Sequence, residues 1–222
     1  MTPFKTILAE AERRADGVKQ LAAILPIPRS AAQLAAVADD RYLSIMSLRI
    51  FRAGLKHSLV DAKWPAFEAA FLGFVPARVR AMSEETIEGF MKDPRLIRHF
   101  GKLRAVHANA AAFCALADAK GGFGRYLADW PGEDIVGLWD DLGKRFQQMG
   151  GNSGPMFLRM SGKDSFIFSE GVVKALIHWG AVDAPPKGKG DRKRVQALFN
   201  AWAKATGKPL CQLSMTLAQS IE

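Results

Sequence analysis

Cysteine and histidine are scarce in this chain of 222 residues, which has two of the first and four of the second. The cysteines, Cys114 and Cys211, form no CxxC pair and lie far from one another. A disulfide framework and a zinc site of grouped Cys and His are therefore excluded, and no metal or cofactor is expected. Cys114 sits among Ala and Phe and reads as a small core residue. Long hydrophobic runs are also missing, because Lys, Arg, Asp or Glu interrupts each apolar stretch within a few residues. No membrane span or membrane partner is expected. The opening Met1-Thr2-Pro3-Phe4-Lys5 leads into a segment rich in Glu and Arg, without the apolar middle of a secretory signal. A cytoplasmic location is the expectation. Strand-like alternation is rare, β-branched residues are sparse, and there is no internal repeat or low-complexity tract.

What is present points to helices. Apolar residues make up 49% and charged residues 24%, ordinary values for a globular protein with one sizeable core, or a core plus a small lobe. Alanine is abundant, which favours helix formation and close helix packing. The periodicity predicts a first helix from about Phe4 to Leu21, ended by Pro26 and Pro28. A short helix capped by Ser30 follows, then one from Asp39-Asp40 carrying Tyr42, Ile45, Met46, Ile50 and Phe51, broken by Gly54. Further helices are expected from Lys63-Trp64-Pro65 through Phe71, from Ser83 to about Met91, from Phe100 to Ala119, over 132–148, and after Ser169. Trp139, Trp179 and Trp202 fall at helical spacing and read as core. The stretch 184–194 reads as a flexible basic linker, and 195–222 as a helical pair that packs back on the N-terminal helices. The whole is read as a single all-α domain over 1–222, with its main core over 40–183, and as a monomer.

The charge balance is basic. Lys and Arg number 31 against 22 Asp and Glu, giving +9 and a pI near 9.8, which favours a polyanionic partner. Residues 144–159 read as helix, glycine hairpin (149–155), helix. In such a turn, exposed backbone amides at Gly151, Asn152, Ser153 and Gly154, together with the start of the next helix, can hold a DNA phosphate without reading sequence. A plain connector has the same composition. The run from Asp93 to Ala110 sets basic residues, Arg98 and Lys102 with His99 among them, beside the start of a long helix, a second phosphate-binding pattern. Lys163, beyond the hairpin, is a further candidate for DNA.

Met82, Glu85, Ile87 and Glu88, followed by Ile97, Arg98, Gly101, Lys102, Leu103, Ala105, Asn109 and Ala110, resemble a run found in the DNA-3-methyladenine glycosylase type I family. Tyr42 to Lys63, with Ala53-Gly54-Leu55 inside it, resembles the segment where that family places its base pocket, and 142–158 is similar to its hairpin. The likeness covers roughly 40–160. It implies a helix-hairpin-helix DNA glycosylase fold of two closely packed helical lobes. It also implies removal of alkylated, 3-methyladenine-like bases from double-stranded DNA in base-excision repair. The implied base pocket comprises Arg49, Phe51, His57 and Trp64. Arg49 stands where the family carries Glu, and His57 where it carries Trp. The family's zinc clip has no counterpart. An Arg repels a cationic base, so a damaged-DNA binder of the same fold that has lost hydrolysis is the alternative, and a helical protein with no DNA role is the third reading. In the wider superfamily an Asp after the hairpin supports the cationic sugar and positions water. Asp164 resembles that Asp, and Glu170 resembles the position used by alkyl-adenine members. Both stay open as catalytic candidates, and each also suits a helix or turn cap.

Overall fold

The computed structural model describes residues 2–221, and no strand occurs among them. In chain order the helices are α1 (Phe4–Arg14), α2 (Val18–Ile24), α3 (Ala31–Ala35), α4 (Asp39–Arg52), α5 (His57–Ala70), α6 (Pro76–Arg80) and α7 (Glu84–Gly89). They continue as α8 (Phe100–Lys120), α9 (Phe123–Asp129), α10 (Ile135–Arg145), α11 (Ser153–Ser161), α12 (Glu170–His178), α13 (Gly188–Thr206) and α14 (Leu210–Gln219). No helix is long and apolar enough to cross a membrane among the described residues. The chain divides into two compact units. One comprises Met1–Pro28, Pro131–Gly137 and Asp164–Glu222, and the other Arg29–Trp130 and Leu138–Lys163.

In the first unit α14 packs against α1, α12 and α13. The Phe4 ring meets Trp202 at 5.1 Å and Phe166 stacks on Phe199 at 4.4 Å. Gln196 accepts a hydrogen bond from the buried amide of Val136 at 2.6 Å. The expected first helix is two: Asp16 (φ 60) and Gly17 (φ 128) turn the chain after Arg14. The apolar period runs across this break, so only Gly17 hinted at it. The expected linker is also shorter. From Gly188 it is helical, with Asp191 accepting from the Lys187 amide at 2.7 Å and pairing with Arg194. A carboxylate in the first turn offsets the cost of cations at a helix N-terminus.

In the second unit α4 is central, burying Tyr42, Leu43, Met46, Ile50 and Phe51 and packing on α5, α8, α9 and α11. Each such side chain contributes about 1.5–3 kcal/mol by leaving water. Helix α3 is set by a capping box of Ser30 and Gln33 and lies on α9, where Gly124 lets the backbones meet: a Cβ there would sit 2.5 Å from the Leu34 carbonyl. The N-terminus of α9 is held by Asp39, whose carboxylate accepts the Phe123 N–H at 2.8 Å. Helix α5 starts at His57 rather than Lys63 and carries Pro65 in its interior. Pro65 supplies no N–H there, so it looks like a helix start in sequence.

Candidate functional site

The glycine turn between α10 and α11 is a tight, exposed loop with one buried anchor. Met149 is 1% exposed, while Gly150, Gly151 and Asn152 face solvent. Gln148 (φ 63) and Gly151 (φ 59) adopt the left-handed conformation. Ser153 N–H donates to Gly150 O at 3.2 Å and Gly154 N–H to Met149 O at 3.1 Å. Gly154 is buried, and a Cβ on it would stand 3.2 Å from the Met149 carbonyl. The amides of Gly150 and Gly151 find no carbonyl partner among the described residues, so they are open to an external acceptor. Asn109 of α8 fixes this turn. Its amide is 1% exposed, accepts from Gln147 N–H at 2.7 Å and donates to Gln147 O at 3.1 Å. Sequence reasoning quoted Asn109 in the family-like run but gave it no role, because its partner lies 38 positions away.

The C-terminal end of α4 gathers charge. Lys102, from the first turn of α8, is 8% exposed and donates to the carbonyls of Ala53 at 2.6 Å and Phe51 at 3.3 Å. It satisfies helix-end carbonyls, a cation at the negative end of the dipole. Its ammonium, expected to contact DNA, is committed to carbonyls within the protein. Burial, and then the Arg49 charge, pulls the Lys102 ammonium below the usual lysine range. Arg49 is half-buried on the penultimate turn of α4, and its guanidinium makes no hydrogen bond or ion pair among the described residues. Its Nε is buried without an acceptor. Burial first, and then Arg52, lowers its proton affinity. Arg52 itself is engaged, donating to both oxygens of Asp61 at 2.9 and 2.7 Å.

Of the aromatic candidates, Phe51 belongs to the core and Trp64 is partly buried. Phe51 is fully buried and packs on Phe67 at 4.5 Å, so it presents no face to a base. Trp64 lies near-parallel to Phe67 and Phe74 at 5.1 and 5.4 Å. Its Nε1–H donates to Ser44 at 3.1 Å, and Ser44 donates to Glu68 at 2.6 Å. That chain of bonds fixes the orientation of the partly buried Trp64 ring. His57 is exposed at the first position of α5.

Arg98 is exposed and has no ion-pair partner among the described residues, and exposed His99 caps α8 by accepting the Lys102 N–H at its Nδ1, 3.3 Å away. Lys163, also expected to contact DNA, matches Lys102 in its bonding. It is 7% exposed, and its Nζ donates to Leu127 O at 2.7 Å and Trp130 O at 2.9 Å, closing the end of α9.

The two carboxylates lie in the first unit. Asp164 accepts from the amides of Leu210 at 3.0 Å and Cys211 at 2.8 Å, which places its charge at the N-terminus of α14. Glu170 is the first residue of α12, exposed and paired with Lys174 at 2.7 Å, and that hydrogen bond holds its carboxyl below the usual range. Among the described residues no three His, Cys, Asp or Glu side chains converge on a point where a metal would sit.

Comparison with known proteins places this geometry. The pattern described as Methyladenine glycosylase matches residues 34–147, just over half of the chain. The DNA-3-methyladenine glycosylase 1 of Escherichia coli (strain K12) is 40% identical over 62 residues, which is 28% of this chain and 33% of that protein. The matched stretch thus spans about a third of the curated relative's length. The solved 3-methyladenine DNA glycosylase I of Staphylococcus aureus is 24% identical with a TM-score of 0.51, covering 56% of this chain and 77% of that one. The 8-oxoguanine DNA glycosylase of Methanocaldococcus jannaschii is 13% identical with a TM-score of 0.53, covering 95% of this chain and 91% of that one. At these identities the structural likeness shows a shared all-α fold.

Proposed function

This chain belongs to the methyladenine glycosylase family, and from that premise we propose that it is a DNA N-glycosylase that releases alkylated, 3-methyladenine-like bases from double-stranded DNA in base-excision repair. The observation that carries the reading is the Asn109-locked glycine turn, whose exposed Gly150 and Gly151 amides await an acceptor. Used as a helix-hairpin-helix element, it grips one backbone phosphate, with exposed Arg98 near the start of α8 as a further phosphate contact. The flipped base enters beside Arg49 and His57. A carboxylate supports the cationic sugar that develops as the glycosidic bond breaks. Of the two candidates, Asp164 is favoured because the α14 amides fix its orientation, whereas Glu170 is a solvated partner of Lys174. The enzyme works as a monomer in the cytoplasm.

The test is release of free base from alkylated duplex DNA by wild type, Asp164→Asn and Glu170→Gln, with folding checked by circular dichroism. Release by wild type that falls at least about a hundredfold in Asp164→Asn and less than about threefold in Glu170→Gln supports the assignment. The reverse pattern moves the role to Glu170. Arg49 favours a second reading, a binder without hydrolysis. Salt-sensitive binding of damaged DNA with no base released would select it.

A further inference from the structure

A guanidinium that is partly buried and bonded to nothing asks for a ligand. Buried donors in native proteins are nearly always satisfied, and one left open costs stability unless something completes it. Arg49 is such a group: its Nε is buried without an acceptor, and no carboxylate pairs with it among the described residues. The carboxylates on neighbouring parts of α4 and α5 are committed elsewhere. Asp61 holds Arg52, and Glu68 holds Ser44 and Arg41. Lys102 adds a second positive charge close by, tied to the carbonyls of Phe51 and Ala53. Arg49, Arg52 and Lys102 thus bring positive charge together, and Arg49 has no carboxylate partner among the described residues.

We infer that Arg49 selects the substrate by charge, admitting an uncharged alkylated purine that presents two adjacent acceptors along one edge, and rejecting cationic alkylated bases. This rests on the proposed function, which sets the flipped base beside Arg49. A planar guanidinium suits two neighbouring acceptors, as in the pairing of Arg with the O6 and N7 edge of guanine. An etheno adduct of adenine offers such an edge through two ring nitrogens and carries no charge. A cationic 3-methyladenine or 7-methylguanine meets repulsion from Arg49 and Lys102 instead.

The same contact assists the chemistry. An uncharged base is a poorer leaving group than a cationic one. When its glycosidic C–N bond breaks, the electron pair goes to the base nitrogen, and negative charge spreads to the acceptors that Arg49 holds. Water adds its oxygen to the sugar carbon, and the proton it sheds ends on the departing base.

The experiment compares duplexes that carry a single ethenoadenine or a single 7-methylguanine. It measures equilibrium binding and single-turnover base release for wild type, Arg49→Gln and Arg49→Lys. The Arg49 side chain makes no hydrogen bond among the described residues, so Arg49→Gln is expected to fold, and thermal melting checks this. Wild type is expected to prefer ethenoadenine by at least about tenfold in binding. Arg49→Gln should bring the two within about threefold, and Arg49→Lys should still exclude 7-methylguanine while binding ethenoadenine more weakly. If Arg49→Gln misfolds, the Arg49→Lys result decides. Base release with 7-methylguanine preferred, or a preference unmoved by both substitutions, overturns the inference and leaves the glycosylase reading standing. An Arg49-dependent preference in binding with no release of either base sustains the inference and overturns hydrolysis. No binding preference and no release overturns both.

Discussion

At the scale of single residues, two buried lysines show why a basic side chain in a basic sequence need not touch an acidic partner. Lys102 and Lys163 spend their hydrogen bonds on carbonyls at the ends of α4 and α9. Replacing Lys163 by Met leaves the Leu127 and Trp130 carbonyls without that donor and should lower stability by about 1–3 kcal/mol. Denaturant melts measure this. The salt dependence of DNA binding should stay as in wild type, since no phosphate contact is lost. Arg98→Ala should do the opposite, leaving stability unchanged and lowering the slope of log affinity against log salt by about 1. Asn109 stands apart from both. Asn109→Ala strips the Gln147 N–H and C=O of their partners, so both stability and affinity for any duplex should fall, the first by about 1–3 kcal/mol. Intact DNA binding in that variant would show that the turn does not depend on its clamp.

At the scale of elements, the local signals were legible and the long-range ones were not. The Ser30, Ser83 and Ser169 caps each act from within three residues, and each was visible as a helix start. Helix α9 escaped notice because it is short and its start is fixed by Asp39, 84 positions away. The glycine turn was recognisable from composition, but not the Asn109 clamp that makes it rigid. In the same way Phe51 and Trp64 carried the right chemistry for stacking, and only the packing of α4 on α5 shows Phe51 buried and both rings packed on Phe67. The joint between α4 and α9 also titrates. Burial raises the Asp39 carboxyl above the usual aspartate range. The folded state therefore binds this proton more tightly than the unfolded chain does. Wild type should gain stability relative to Asp39→Asn as pH falls through the interval just above the ordinary aspartate value. Paired melts at successive pH values check the sign, and a gain on raising pH would contradict it. In the turn itself, Gln148 holds a left-handed backbone that glycine adopts without strain. Gln148→Gly should raise stability by about 1 kcal/mol, read from the same melts.

At the scale of the whole molecule, the chain carries a net charge of +9 on an all-α fold. The class of fold could be read from periodicity and alanine content, because both act on every turn of every helix. The division into two units could not. One of them is assembled from three separated stretches, and no composition change marks their joins except the prolines near residue 28 and at residue 131. What the sequence offered of the proposed site was local: the glycine turn, the basic start of α8, and Arg49 at the position where the resemblance implies a pocket carboxylate. The missing counter-ion at Arg49 is a property of the folded surroundings, which a linear pattern does not contain. The central claim is that this fold excises alkylated bases by gripping the DNA backbone. The most direct measurement follows free base released from an alkylated duplex by wild type at limiting protein and rising salt. The account predicts release whose rate falls steeply as salt increases, since each phosphate contact frees counter-ions. Absence of release at every salt concentration, or release indifferent to salt, would contradict it.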